Sequence, residues 1–257
     1  LFSGQRKTHN ISRQNQPFCH NLKEIDKGGG VKAKGLIVFA LIAGAAGWGY
    51  RHLPSYYNPF APLQLTDPPG RIAQMKLRRL SDAECQALLV QANQRGLITS
   101  QKVADSAGNC PLNNVVRVRD FGEIKLSSSF LASCPLALSS ALFVEQQAKP
   151  LAQQLIGSAL RQIDHFGSYA CRNIYHRENA RLSEHATAEA LDVSGFRFAS
   201  GQRVTVLKGW PNAQTQPFLR ALLSSSCHYY GNGLGPEYNA AHANHFHLGM
   251  RGYGLCR

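Results

Sequence analysis

Apolar residues run without a charge from Gly35 to Tyr50, "GLIVFALIAGAAGWGY", and beyond that run they recur only at helical or strand spacings. A membrane span needs roughly 20 residues, and Lys32, Lys34 and Arg51 lengthen the run by snorkelling. The pattern therefore predicts a transmembrane signal anchor over residues 35–53. Positive charge on one flank argues against a buried core helix and predicts a cytoplasmic N-terminus, with Trp48 and Tyr50 at the far interface. A cleaved signal peptide is the rival reading, because Ala43-Gly44-Ala45 resembles a cleavage site. The run exceeds the usual apolar core of such peptides, roughly 7 to 15 residues.

Pro54, Pro59, Pro62, Pro68 and Pro69 predict an extended, semi-rigid spacer, so residues 54–80 read as a linker into a folded domain over 81–257. Ser81 and Glu84 form a capping-box pattern for a helix over about 82–95, closed by Gly96. Alternation on both sides of Asp120-Phe121-Gly122 predicts a hairpin over Val115 to Leu126. From Leu136 to His165 apolar residues recur at three and four, with Pro150 expected to kink or divide that helix. Strands are expected at Gly167 to Arg172, Leu191 to Phe196 and Arg203 to Leu207. A helix over roughly Pro217 to Cys227 then precedes a terminal histidine strand. Helices on a small, largely antiparallel sheet give an α+β domain.

Composition narrows the function. With 257 residues and 44% hydrophobic content the chain buries a core, and its net charge is +13. Residues 1–34 carry seven Lys or Arg against Glu24 and Asp26, and their Asn, Gln, Ser and Gly content predicts a disordered cytoplasmic segment. No zinc-finger spacing or basic helix with interleaved aromatics accompanies the charge, so nucleic acid is not an expected partner. A basic surface facing an anionic polymer or membrane accounts for it equally well. Six cysteines follow the apolar run and none is spaced C-x-x-C, which predicts export and up to three disulfides. The pairing stays open, and six buried free thiols are the alternative.

Candidate chemistry sits in two stretches. In "HANHFHLGM" His245 and His247 are two apart, so on a strand they share a face. "SEHATAEALDVSGF" supplies His185 and Asp192, which converge if Ala186 to Ala190 form a bend. Two histidines and a carboxylate make a three-ligand metal site with a fourth position open to water; harmless strand-end histidines are the bland alternative. Arg172 and Arg181 flank the first stretch and suit a substrate carboxylate, or are simply solvated. Ser183 contacts ligand or substrate, or caps a turn. Tyr238 lines the cleft or packs ahead of a loop, and His165, His176 and His228 read as ordinary residues.

Ser183-x-His185-x6-Asp192 followed by His242-x-x-His245-x-His247 resembles the zinc peptidases grouped as lysostaphin, D-Ala-D-Ala peptidases and hedgehog. With "APLQLTDPPG", "GSYACR" and "GPEYNAAHANHFHLGM", the chain most resembles bacterial extensin-like C-terminal domain proteins from about residue 60 onward. The resemblance implies a fold of the lysostaphin-type (LAS-type) zinc peptidases. His185, Asp192 and His247 would bind Zn²⁺, His245 would be catalytic and His242 supporting. It also implies hydrolysis of peptidoglycan peptide bonds (D,D-peptidase type) by zinc-bound water; with the apolar run, its basic flank and the cysteines, the expectation is a single-pass protein of the bacterial inner membrane with its C-terminal domain in the periplasm. No H-E-x-x-H glutamate is present, so a histidine near its usual pKa of about 6.5 serves as base or stabilises the tetrahedral oxyanion. Extensin-like domains read H-x-D-H-F-H-L-D, and Asn244 and Gly249 depart from that pattern; an orienting carboxylate is then expected to be missing. A non-catalytic, metal-containing wall-binding or scaffolding module is the alternative. Ala188 stands where related carboxypeptidases have glycine and is expected to crowd the bend.

Overall fold

A computed structural model describes residues 29–252 and 254–257. Most of the segment expected to be disordered, residues 1–28, lies outside the described residues. The chain divides into two units, Leu1–His52 and Leu53–Arg257.

The first unit holds α1, Gly29–His52, which starts ahead of the apolar run. Its 24 residues make about 36 Å at 1.5 Å each, against a hydrocarbon core of roughly 30 Å. Leu36, Ile37, Val38, Phe39, Leu41 and Ile42 are all exposed, so apolar side chains point outward around the whole circumference. Over Ala33–His52 the helix is long and apolar enough to cross a membrane.

In the second unit the expected spacer proves to be part of the fold. Leu63, Leu65 and Leu77 are buried in the main core. Lys76, on α2 (Arg71–Arg79), reaches Asp67 Oδ2 at 2.9 Å and the Ser55 carbonyl at 2.7 Å. Gln146 Nε2 donates to the carbonyls of Leu65 and Asp67. The extended spacer that the prolines predict is instead a 3₁₀ turn over Ser55–Tyr57, further turns and helix α2, and the leucines among them find a surface to cover.

Helix α3 (Asp82–Gln94) has the expected capping box at Ser81 and Glu84. Strands β1 (Thr99–Lys102), β2 (Val115–Phe121) and β3 (Ile124–Ser133) follow. The β2–β3 hairpin turns at Gly122, whose φ of +63° and approach to the Gly96 carbonyl leave no room for a side chain. Helix α4 (Cys134–Phe143) continues through turns widened to π geometry on either side of α5 (Lys149–Leu151). Pro150 has no N–H to give, and the wide turns absorb that loss.

The helix ends at Gly157, which takes the left-handed conformation. Leu160 to Gly167 is β4, a strand, so Ala159, Leu160 and Ile163 do not extend the helix as their spacing predicts. Residues 168–172, expected as a strand, are a loop: Gly167 (φ +113°) ends β4, and Cys171 is tied to Cys110. Then come β5 (Ala190–Phe198), β6 (Arg203–Thr205), α6 (Val206–Gly209) and α7 (Gln216–Ser226). The strand expected through Leu207 turns helical at Val206, where Thr205 caps with its hydroxyl. The chain closes with β7 (Asn232–Leu234), β8 (Phe246–Gly249) and β9 (Leu255–Cys256).

The strands form one mixed, mainly antiparallel sheet in the order β1-β2-β3-β4-β5-β8-β7-β9, with β6 also on β5. At nine strands it is larger than expected, because the histidine strand joins the same sheet as the hairpin. β3 and β4 are parallel, as their long helical crossover requires. Val118, Phe130, Ile163, Leu191, Val193, Phe246 and Leu248 pack with α4 and α7 in the core. α4 is buried all round, and its Ser139 and Ser140 hydroxyls are paired with the Tyr229 carbonyl and the Tyr230 hydroxyl.

The three disulfides are Cys85–Cys134, Cys110–Cys171 and Cys227–Cys256. The first and last fasten α3 to the start of α4 and the end of α7 to β9.

Asp67 and Lys76 test the reassigned segment. Asp67→Ala leaves a buried ammonium without its counter-charge, which costs about 3–5 kcal/mol, whereas an exposed spacer loses under about 0.5 kcal/mol. Urea unfolding of the two proteins measures the difference.

Candidate metal centre

Strand alternation builds the site. On β5, Leu191 and Val193 face the core, so Asp192 faces the other way. On β8, Phe246 and Leu248 face the core, so His247 also points away. The two strands are antiparallel and Asp192 stands directly opposite His247. His185 arrives from outside the sheet on a 3₁₀ turn, Glu184–Thr187, capped by the Ser183 hydroxyl. Ala188 ends that turn at φ +53° and is fully buried against Leu112 and Val115, so the expected crowding takes the form of a left-handed alanine.

The hydrogen bonds assign the tautomers. His185 Nδ1 donates to the Ser168 carbonyl at 3.1 Å, and His247 Nε2 donates to Glu184 Oε2 at 3.1 Å. His185 Nε2 is then a lone pair, and it faces His247 Nδ1 at 3.2 Å, while His247 stands between two carboxylates, Glu184 at Nε2 and Asp192 at Nδ1. Asp192 adds Oδ2 at 3.3 Å from His185 Nε2 and Oδ1 at 3.0 Å from His247 Nδ1. These three side chains could hold a metal ion between them, with both imidazoles neutral, or share a proton on His247 in its place. Ligand atoms about 2.0–2.1 Å from a tetrahedral zinc-sized ion stand roughly 3.3 Å apart by geometry, so the donor set fits a small divalent metal. His185, Asp192 and His247 are the one such group among the described residues.

Electrostatics agree with that reading. Burial works to raise the Asp192 carboxyl, but bonds from His185 and His247 outweigh it and hold the group well below the usual carboxylate range. Burial works to lower His247, and Asp192 and Glu184 overcome it, raising the imidazole to about 9 without a metal. A proton there occupies the place of the cation.

The family model for the extensin-like protein C-terminus matches residues 83–257. The chain belongs to that family. No curated protein and no solved structure matches it.

In this extensin-like domain all nine residues singled out from the sequence line one cleft of about 600 Å³. His245 Nε2 lies 3.6 Å from Asp192 Oδ1, and the ring of His242 stands 5.3 Å from that of His245 and 5.8 Å from that of His247. Nδ1 of His245 donates to Asn244 Oδ1 at 2.8 Å, and Nδ1 of His242 donates to Asn239 Oδ1 at 2.7 Å. Both histidines therefore turn an unprotonated Nε2 to the cleft. Burial lowers both below the usual histidine range, His242 to about 4, where His247 and His245 add to the effect.

Arg172 and Arg181 lie on the two arms of a small hairpin, joined through the Asn173–Leu182 bridge. Neither guanidinium has a hydrogen-bond or ion-pair partner among the described residues. Tyr238 packs edge-on against His242. His176, read from the sequence as ordinary, lines the cleft beside Tyr175, both with left-handed backbone; His165 and His228 lie outside it. Glu184 also lines the cleft and contacts His247, a contact that spacing did not disclose. The carboxylate expected to be missing is absent at His245, whose partner is the Asn244 amide, whereas His247 has one in Glu184.

Two outcomes test this centre. Purified protein should carry one metal per chain, and His185→Ala or Asp192→Ala should carry none by elemental analysis. Stripped of metal, the protein gains stability from the raised His247, a gain fully present below the unfolded value of about 6.5 and lost as pH rises through about 9. Melting temperatures should therefore fall between pH 6 and pH 10 for the metal-free protein and much less for His247→Ala.

Proposed function

We propose that this extensin-like protein is a membrane-anchored, zinc-dependent hydrolase that cuts peptide bonds of peptidoglycan in the manner of a D,D-peptidase. One observation carries the reading: ligand atoms of His185, Asp192 and His247 converge in an open cleft, beside two histidines whose Nδ1 atoms are engaged by asparagines. Two nitrogens and one oxygen are a donor set that suits zinc. Bound there, zinc acidifies water toward a pKa of about 7 and polarises a carbonyl.

The chain's own residues supply the rest. His245 Nε2 takes a proton from water in the cleft and returns it to the leaving amine, a role that contributes typically 10²–10⁴-fold. His242 supports it from the neighbouring position. Arg172 and Arg181, whose guanidiniums have no partner among the described residues, grip an anionic group of the substrate such as a peptide carboxylate. Tyr238 borders the same space. The shared histidine and aspartate motif with the lysostaphin, D-Ala-D-Ala peptidase and hedgehog enzymes supports the choice of peptidoglycan.

Helix α1 would serve as an inner-membrane anchor with its basic flank in the cytoplasm. Disulfides are at home in the oxidising periplasm, where the wall is.

A second reading, a wall-binding module that keeps its metal without turnover, draws on the acceptors behind His242 and His245. Both are neutral asparagines, which raise basicity less than carboxylates would.

Purified sacculi decide between the two. Hydrolysis predicts soluble muropeptides released by zinc-loaded protein and lost with a chelator or with His245→Ala. Metal-loaded protein that sediments with sacculi and releases nothing contradicts hydrolysis, and sedimentation unchanged in His245→Ala favours the binding module.

A further inference from the structure

Gly249 ends β8 two residues after His247, on the same side of the sheet. A Cβ built on it would stand 2.5 Å from Glu184 Oε2 and 2.7 Å from Glu184 Oε1. The space a side chain would take is already filled by a carboxylate from another part of the chain. Glu184 is held there by His247 Nε2 at 3.1 Å, Asn232 Nδ2 at 3.1 Å and the Arg251 backbone N–H at 2.5 Å. Behind it, Arg251 bonds Glu189, Thr187 and the Leu182 carbonyl, closing the chain end over the 3₁₀ turn.

We infer that Glu184 is a positioning residue of the metal centre, and that Gly249 is glycine because the centre needs that volume for the Glu184 carboxylate. The inference rests on the metal-site reading above and adds a role for two residues outside the ligand set. By accepting the Nε2 proton of His247, Glu184 fixes Nδ1 as the ligating atom and aims the ring at His185 and Asp192. The same turn thus delivers one ligand, His185, and orients another. Charge balances as well: the Asp192 and Glu184 carboxylates together match a divalent cation, while both imidazoles stay neutral.

The test is zinc affinity of the full chain in detergent, measured by competition with a chromophoric chelator, for wild type, Glu184→Ala, Gly249→Ala and the double variant Glu184→Ala with Gly249→Asp. Loss of an orienting partner weakens metal binding about 10- to 100-fold. That loss is expected for both single variants, although Gly249→Ala removes no polar group. The double variant should recover most of it, since the introduced aspartate would put a carboxylate where that of Glu184 now sits. Histidine nitrogen NMR of zinc-loaded protein supplies a readout that fold loosening does not imitate. Wild type should show His247 protonated at Nε2, and Glu184→Ala should show mixed tautomers.

Single variants that bind zinc as tightly as wild type overturn the inference and leave the metal site standing. Wild type that binds no zinc overturns the metal site itself. If Glu184→Ala does not fold, Gly249→Ala and the double variant carry the test: equal weakening in both, without recovery, also counts against it.

Discussion

The fold holds two imidazoles and a carboxylate against one another, and everything proposed for this protein follows from how that is made tolerable. Asp192 and His247 are cross-strand neighbours on β5 and β8, so ordinary antiparallel register sets their distance. Core packing of Leu191, Val193, Phe246 and Leu248 locks the register, because a slip by one residue would turn every one of those side chains outward. His185 then closes the third side from a turn whose end is fixed by Ala188 and whose start is fixed by Ser183. Buried acceptors facing each other cost free energy unless something positive sits among them. The backbone geometry therefore builds a group that could hold a cation before any substrate is considered.

Around that centre, orientation is distributed over several parts of the chain. The Ser168 carbonyl sets His185, Glu184 sets His247, Asn244 sets His245 and Asn239 sets His242. Acceptors at the metal ligands include a carboxylate, whereas those behind the two free histidines are neutral amides. This division keeps negative charge beside the candidate metal centre and neutral partners behind the cleft histidines. The Cys110–Cys171 bridge fastens the loop next to Arg172, so the cationic wall of the cleft is tethered to the strand-rich part of the domain.

Much of the centre is legible in the sequence because it follows from periodicity. His245 and His247 are two apart on or beside a strand, and Asp192 lies in an alternating run, so both motifs take a face without knowledge of the topology. Glu184 is not legible, since its partner is 63 positions away and only the fold brings Gly249 beneath it. Leu160 and Ile163 depart from expectation for a different reason: three-residue spacing fits a helix and also a strand with bulges, and the left-handed Gly157 decides between them. Prolines over 54–69 suggest an extended spacer, yet the segment forms turns and packs, as the buried Lys76–Asp67 pair shows.

X-ray absorption at the zinc edge of the purified, zinc-loaded protein tests the central claim most directly. The account predicts a first shell of nitrogen and oxygen only, at about 2.0–2.1 Å, with the outer-shell signature of two imidazoles. A shell without imidazole, or one built from sulfur, would contradict it.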